Sequence, residues 1–220
     1  MPIHNVTMAE NLAHIYWIGG SPCAGKSSIA DTLAEKYRFD LYRCDDAYFT
    51  HAKLVTPEQQ PVFHRLTHLS SDDLWMRPVA QQAQEEIALY HEEFPLILED
   101  LLSRPRTRSI LAEGAALLPE CIHPLLLRPR QALWIVPTRE FQMYHYTRRE
   151  WAKDVVKTCT NPKQAFLNWM HRDIEFAQSI IDAATSRDLP VLIVDDQHSL
   201  VENTELVEHL FDIHHQHNLP

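Results

Sequence analysis

One segment of the sequence combines residue types and spacing that are suited to holding a polyphosphate. Gly20 and Gly25 stand at the two ends of a short loop, and Lys26 and Ser27 follow the second glycine. The glycines permit backbone torsions and a close approach that side chains would obstruct. Lys26 can reach the β and γ phosphates of a nucleotide, and the Ser27 hydroxyl can hold Mg²⁺. The segment predicts a nucleoside triphosphate site formed by Gly20, Ser21, Pro22, Cys23, Ala24, Gly25, Lys26, Ser27 and Ser28.

The residues on either side of this loop predict the elements that must position it. Residues 15–18 form an apolar run typical of a short buried strand, and Ile29, Leu33 and Tyr37 recur at helical spacing. A phosphate loop of this pattern requires a strand before it and a helix after it. The positive end of that helix then faces the phosphates. A chance glycine turn would not need these neighbours, so we interpret the segment as a phosphate-binding loop.

Acidic residues follow two other predicted strands. Asp45 and Asp46 come after the second strand, and Glu113 ends the third. Because the carboxyl ends of parallel strands meet at one sheet edge, we expect these side chains near the phosphate loop. Phosphoryl transfer needs a group that orients the nucleophile and carboxylates that fix Mg²⁺. We therefore assign Asp45 as the base and Asp46 or Glu113 to the metal; the alternatives are a helix N-cap pair and an ordinary strand-ending turn.

A second acidic pair, Asp195 and Asp196, follows the apolar run 191–194. In isolation it is typical of a strand that leads to a magnesium carboxylate. Its late place in the chain favours a position beside the nucleotide base, or simply the end of the last strand. The sequence leaves this choice open.

Short apolar strands alternate with helical segments along the chain. Strands are predicted at 15–19, 39–44, 109–112, 132–136 and 191–194. Helices are predicted at 26–37, 162–185 and 199–214, and another opens at Pro78, with Pro95 expected to interrupt or restart it. This alternation predicts a five-stranded parallel sheet with helices on both faces, a three-layer α/β/α fold.

We expect one domain over 1–220, with its core at about 12–49 and 108–216. The helical insertion at about 50–107 is too long for a plain loop and leaves from the sheet edge where ligands bind. It is either a cap over a second substrate or a decoration that only packs. Within it, His64, Trp75 and Arg77 could contact an acceptor molecule.

A lid is expected at about 138–160, where one helical stripe carries an arginine among apolar residues. An arginine in such a place either extends to solvent or faces an anion. By resemblance to P-loop kinases, whose lid arginines stabilise the charge of the transferred phosphoryl group, we prefer that role for Arg148 and its neighbour Arg149. The alternative is a solvated cluster that pairs with Glu150. Arg172 on the next helix is a further phosphate candidate. The stripe consists of Phe141, Tyr144, Arg148, Trp151 and Val155.

Composition excludes several classes of function. The net charge of −10 argues against a broad nucleic-acid-binding surface. No apolar run approaches the length of a membrane span, and residues 1–11 lack the pattern of a signal peptide. The cysteines form no C-x-x-C pair, which favours reduced thiols and a cytoplasmic protein. The histidines at 214, 215 and 217 indicate a polar tail.

The phosphate loop, the Asp45-Asp46-Ala47-Tyr48 run, Glu113-Gly114 and the arginine-bearing helix after strand four together resemble the P-loop small-molecule kinases. That group includes uridine kinase-like, nicotinamide riboside kinase-like and adenylate kinase-like enzymes. The resemblance implies a P-loop NTPase fold with an acceptor-binding helical region, a mobile lid, and ATP and Mg²⁺ as cosubstrates. By similarity, Asp45 matches the aspartate that activates the acceptor hydroxyl, and Glu113 matches the acidic residue after strand three.

These observations predict an ATP-dependent phosphotransferase that acts on a small hydroxyl- or phosphate-bearing molecule. The preference for ATP rests on the absence of the N-K-x-D segment that reads guanine. The alternative is a nucleotide-dependent ATPase or switch that acts on a protein partner. The insertion matches no single acceptor signature, so the sequence leaves the acceptor open, and the oligomeric state with it.

Overall fold

The computed structural model describes residues 3–213 of the chain. The polar tail, and the predicted end of the last helix at 214, lie outside the described residues. The strands are β1 Ile15–Gly20, β2 Asp40–Arg43, β3 Ile110–Glu113, β4 Ala132–Pro137 and β5 Val191–Val194. Each predicted strand is present. Most of them are four- to six-residue apolar runs between helical segments, which are a strong signal for a buried parallel strand, whereas β2 at the sheet edge also carries Asp40 and Arg43.

The strands form one parallel sheet in the order β2-β3-β1-β4-β5. β1 lies at the centre, with β3 on one side and β4 on the other. In this register Glu113 of β3 stands opposite Ile18 of β1 and also opposite Arg43 of β2. The phosphate loop therefore leaves the sheet directly beside the acidic end of β3.

Helices follow the strands and cover the sheet. They are α1 Ile3–Asn11, α2 Lys26–Tyr37, α3 Cys44–His51, α4 Pro61–Leu66, α5 Ser71–Trp75, α6 Val79–Ser103, α7 Pro119–Ile122, α8 Arg139–Tyr146, α9 Glu150–Val156, α10 Pro162–Thr185 and α11 Leu200–Phe211. Short 3-10 turns occur at His123–Leu125 and Pro129–Gln131. In the described residues no helix is long and apolar enough to cross a membrane.

Alternate residues of β1 enter two separate hydrophobic cores, as the two-residue period of a strand requires. Trp17 packs on one face with side chains of α6 and α10, and Ile18 packs on the other with α2 and α11. The expected three-layer α/β/α fold of the P-loop NTPases is thus confirmed. Residues from the covering helices are Phe94, Ile97, Leu101, Phe176 and Ile180 on the first face and Ile29, Leu33, Val207 and Phe211 on the second.

Capping interactions fix the starts of α10 and α11. The side chain of Asn161 accepts a hydrogen bond from the backbone of Gln164, and Pro162 occupies the first helical turn. Ser199 and Glu202 form a reciprocal capping box at the start of α11. These caps satisfy N–H groups that the first turn of a helix leaves without partners.

The expectation that Pro95 interrupts or restarts the long helix is wrong, because α6 continues through it. A proline removes one backbone donor from the helix ladder. Pro95 itself is exposed, while its neighbour Phe94 and also Ile97 are buried against the sheet. Tertiary packing of that face therefore holds the helix together across the missing hydrogen bond.

Candidate nucleotide-binding site

The loop between β1 and α2 has the backbone geometry of an anion cradle. Gly20 has a φ of +120°, and a Cβ there would lie 2.0 Å from the carbonyl oxygen of Ile135. Gly25 has a φ of +79° and caps α2. Cys23 also adopts a positive φ, of 66°. Left-handed residues within such a turn direct successive N–H groups into one concavity, which suits an anion.

Lys26 lies at the base of this cradle and is buried. Its Nζ donates a hydrogen bond to the carbonyl oxygen of Ser21 at 2.7 Å. Burial lowers the pKa of Lys26, whereas the carboxylates of Glu113 and Asp45 act in the opposite direction. A phosphate in the cradle would place a negative charge beside the buried ammonium group, which would offset the cost of burying that group.

Glu113 and Ser27 supply the oxygen atoms that a magnesium site would use. Glu113 is buried, and its burial raises the pKa, while Lys26 and the Ser27 hydroxyl favour the ionised form. The part of the chain that is described holds no cluster of three or more His, Cys, Asp or Glu side chains suited to a metal. Mg²⁺ takes most of its ligands from water and phosphate, with one or two protein carboxylates, so this sparse set fits it.

The two aspartates that follow β2 lie in different surroundings in the structure. Both lie in the first turn of α3, whose N-cap is Arg43, so neither caps the helix through the N-cap position. Asp45 lines the phosphate cavity, whereas exposed Asp46 is not part of that lining. Of the two metal candidates, the structure therefore brings Glu113 to Ser27 and leaves Asp46 outside.

Two cavities adjoin at the carboxyl edge of the sheet. The phosphate cavity, of about 390 Å³, surrounds the loop and reaches Tyr146 and Trp169. The acceptor cavity, our name for its neighbour of about 490 Å³, lies among residues of α3, α5, α6 and α10 and includes Trp75. Four residues line both cavities, and they are Asp45, Glu86, Tyr90 and Arg172.

Arg172 is the centre of a buried network at this junction. Its Nε lies 3.0 Å from Oε2 of Glu86, and its guanidinium nitrogens contact Oδ1 of Asp173 at 2.6 and 2.8 Å. The guanidinium also lies over the ring of Trp75, 5.2 Å from its centroid. The hydroxyl of Tyr90 donates to Oε1 of Glu86 at 3.1 Å. Arg172 is thus held rigidly between the two cavities.

The sequence did not reveal the buried polar residues of α6, one of which, Glu86, belongs to this network. Gln82, Glu86 and Glu93 are buried on one face of α6, together with Leu89 and Ile97. Their spacing of four and seven residues is helical, so the signal was present as polar side chains that share a stripe with apolar ones.

The predicted lid is two helices, not one. Residues 147–149 break the helix between α8 and α9, so the single stripe predicted there is wrong. The break separates the two arginines. Arg149 lines the phosphate cavity and lies over the rings of Tyr146 and Trp151 at 5.0 and 5.7 Å. Arg148 is exposed and donates to the carbonyl oxygen of Tyr144 at 2.8 Å.

The three residues of the insertion are placed differently from one another. Trp75 and Arg77 both line the acceptor cavity, and their contact with an acceptor stays a prediction. Arg77 is already paired with Glu85. His64 is not part of the cavity lining, and it stacks on His68 with ring centroids 4.4 Å apart.

Asp195 and Asp196 follow β5, the edge strand, which β4 separates from β1. Asp196 has a side chain 62% exposed, and its Oδ1 lies 3.5 Å from Nε2 of His145. Neither residue lines either cavity. Their place outside both cavities argues against a magnesium ligand, and the position beside the nucleotide base stays a prediction.

Comparisons with known proteins were made with sequences and with solved structures. No protein-family model matches the sequence, and no curated protein matches it significantly. Among solved structures the chain is similar to thymidylate kinase from Candida albicans, with a TM-score of 0.49 and 13% identity, over 94% of each chain. The parallel sheet and the strand–loop–helix unit around Lys26 are by themselves those of a P-loop NTPase.

Proposed function

We propose that the protein is an ATP-dependent phosphotransferase that transfers the γ-phosphoryl group to a hydroxyl group of a small molecule. The observation that carries the proposal is the shared wall of the two cavities. Asp45 and Arg172 line both the phosphate cavity and the acceptor cavity. A γ-phosphate at the end of the loop and an acceptor in the second cavity would therefore meet at these two residues.

The loop residues bind and orient the nucleotide in this proposal. Backbone N–H groups at the start of α2 face the phosphate oxygens, and Lys26 releases the Ser21 carbonyl to contact the β and γ phosphates. Ser27 and Glu113 would hold Mg²⁺, which supplies charge neutralisation at the phosphoryl oxygens when it is bound. Positioning and electrostatic stabilisation together account for most of the catalysis in this class of reaction.

Asp45 would act as the general base. It accepts the proton of the acceptor hydroxyl while the acceptor oxygen bonds to the γ-phosphorus and the bond to the β-phosphate oxygen breaks. ADP leaves with that electron pair. Asp45 is exposed in this structure and faces both cavities, which a base between two substrates requires.

Two arginines would stabilise the transferred group from opposite sides. Arg149 reaches the phosphate cavity from the lid, and Arg172 reaches it from α10. Arginine suits this role because its planar fork contacts two phosphate oxygens at once. Arg148 is exposed on the other side of the lid break, so we assign the charge-stabilising role to Arg149.

The test is ATP turnover by the full chain with and without a panel of small alcohols and phosphate monoesters. We expect slow hydrolysis alone and a faster reaction, with a phosphorylated product, when an acceptor is present. The variant Lys26→Ala serves as the control for loop-dependent turnover. Stimulation by a protein and by no small molecule would favour the alternative, a nucleotide-dependent switch. Absence of ATP binding in calorimetry with Mg²⁺ would overturn both.

A further inference from the structure

The charged groups of the acceptor cavity are predominantly acidic. Three carboxylates and two guanidinium groups line it, and they are Asp45, Glu86, Glu93, Arg77 and Arg172. This balance of charges matters because an anionic acceptor needs a cation whose charge is not already offset by a carboxylate of the protein. A cationic acceptor needs negative charge that the protein's own cations do not fully offset.

Both arginines already have carboxylate partners. Arg77 is hydrogen-bonded to Glu85, and its other terminal nitrogen donates to the Leu74 carbonyl at 3.3 Å. Its Nε is buried without a partner, but the guanidinium charge is offset by Glu85. Arg172 lies between Glu86 and Asp173. No arginine of the lining thus brings an unmatched charge to a phosphate or carboxylate group of an acceptor.

Glu86, by contrast, has only a share of a cation. It lies 3.0 Å from Nε of Arg172, and the same guanidinium group also pairs with Asp173, so two buried carboxylates face one positive charge. Such an excess of buried negative charge costs stability unless a further cation approaches it. Since Glu86 lines the cavity, a cationic ligand can approach it. Glu93 differs, because His51 Nδ1 lies 2.9 Å from its Oε1.

Aromatic rings form much of the remaining wall. Tyr48, Phe49, Trp75 and Tyr90 line the cavity. Trp75 is buried, whereas Phe49 is 69% exposed. The faces of aromatic rings attract cations, and tryptophan and tyrosine do so best. The wall therefore suits an apolar body that ends in a positive charge.

Building on the phosphotransferase proposed above, we infer that the acceptor is a hydroxyl compound that carries a protonated amine and no phosphate or carboxylate group. The ammonium group lies beside the Glu86 carboxylate and against the aromatic wall, while the hydroxyl group faces Asp45. An anionic acceptor would lose its hydration and gain no unpaired cation in return.

Calorimetry on the full chain without nucleotide tests the inference directly. The probes share one ring and hydroxyl group and differ in the charge of the side chain: tyramine, 4-ethylphenol and 3-(4-hydroxyphenyl)propanoate. All three lack phosphate, so the phosphate loop does not compete for them. We expect tyramine to bind about tenfold more tightly than 4-ethylphenol, and the propanoate to bind most weakly.

Two matched variants of α6 assign the preference to one carboxylate. Glu86→Gln removes the charge inside the cavity, and Glu99→Gln removes an exposed charge on the same helix. The first should abolish the preference for tyramine over 4-ethylphenol, and the second should keep it. Tighter binding of the propanoate, equal binding of tyramine and 4-ethylphenol, no binding of any probe, or a preference that survives Glu86→Gln would each overturn the inference.

The same measurement on Lys26→Ala separates the two proposals. The preference for tyramine should persist in this variant, because Lys26 does not line the acceptor cavity. Tyramine binding without any ATP-dependent turnover would then count against the phosphotransferase alone. ATP-dependent phosphorylation of an anionic acceptor would count against the inference alone.

Discussion

The ammonium group of Lys26 donates a hydrogen bond to the carbonyl oxygen of Ser21 at 2.7 Å, across the loop that joins them. The lysine is buried, and burial lowers its pKa while Glu113 and Asp45 favour its charged form. The ammonium is thus held inside the cradle by a single neutral acceptor and nearby carboxylates. A triphosphate offers it stronger, charged acceptors.

Replacement of Lys26 by alanine should therefore weaken ATP binding by about 100-fold. Calorimetry with ATP and Mg²⁺ measures this change. Lys53→Ala is the control, because that lysine is exposed and does not line the phosphate cavity. Equal ATP affinity of the Lys26→Ala variant and the unchanged chain would show that the loop does not form the nucleotide site.

The metal assignment predicts different behaviour for two carboxylates near the loop. Glu113 is buried beside Ser27, while Asp46 is exposed outside the phosphate cavity. Glu113→Gln should raise the Mg²⁺ concentration needed for half-maximal ATP turnover by about tenfold or more. Asp46→Asn should leave it unchanged. The reverse result would transfer the metal role to Asp46.

The base assignment predicts that Asp45→Asn spares nucleotide binding and slows transfer. Loss of the proton acceptor should lower the rate of phosphoryl transfer by about 10³-fold, since general base catalysis is worth that much in other enzymes. ATP affinity from calorimetry and product formation from single-turnover kinetics separate the two effects. A parallel loss of both quantities would make Asp45 a metal or structural residue instead.

The sequence was sufficient for the phosphate loop and the strands because both are local signals. Gly20, Gly25 and Lys26 fall within one short segment, and the flanking apolar runs decide the elements. The junction was not predictable in the same way, because Glu86 and Arg172 come from α6 and α10 and meet only through packing. A polar residue on an apolar helix face indicates burial, but its partner lies far away in the chain.

The lid illustrates a second limit of sequence periodicity. The apolar spacing around Arg148 predicted one helix, and the chain instead breaks before Glu150. Arg149 becomes the N-cap residue of α9 and turns towards the phosphate cavity. A break of only three residues reassigns the roles of two adjacent arginines, and periodicity does not detect a change of that size.

Arg149→Ala should accordingly slow phosphoryl transfer by about 10³-fold, with less change in ATP affinity. Arg148→Ala is the matched control and should transfer at the unaltered rate, because its guanidinium lies over the exposed Tyr144 ring. Single-turnover kinetics at saturating ATP give both rates. A larger effect from Arg148 than from Arg149 would show that the lid rearranges before transfer.

Behind the acceptor cavity, buried His51 lies between buried Glu93 and half-exposed Asp100. Its Nδ1 lies 2.9 Å from Glu93 and its Nε2 lies 3.2 Å from Asp100, which also accepts a hydrogen bond from Tyr42 at 2.9 Å. Burial by itself would lower the pKa of His51, but the hydrogen bond and charge of Glu93, joined by Asp100, raise it above the usual 6.5. The folded protein therefore favours the protonated imidazole.

This cluster predicts that stability depends on pH with a definite sign. A histidine whose pKa is raised by folding stabilises fully below its unfolded value of about 6.5, and the contribution is lost as the pH rises through the folded value. His51→Leu should lower the free energy of unfolding by about 3 kcal/mol at pH 6, because buried Glu93 loses its partner. The difference in stability between the two proteins should shrink at pH 9.

Urea denaturation at both pH values measures the free energy of unfolding. The control is His123→Leu, which replaces an exposed histidine. A difference that grows with pH would show that His51 is neutral in the fold.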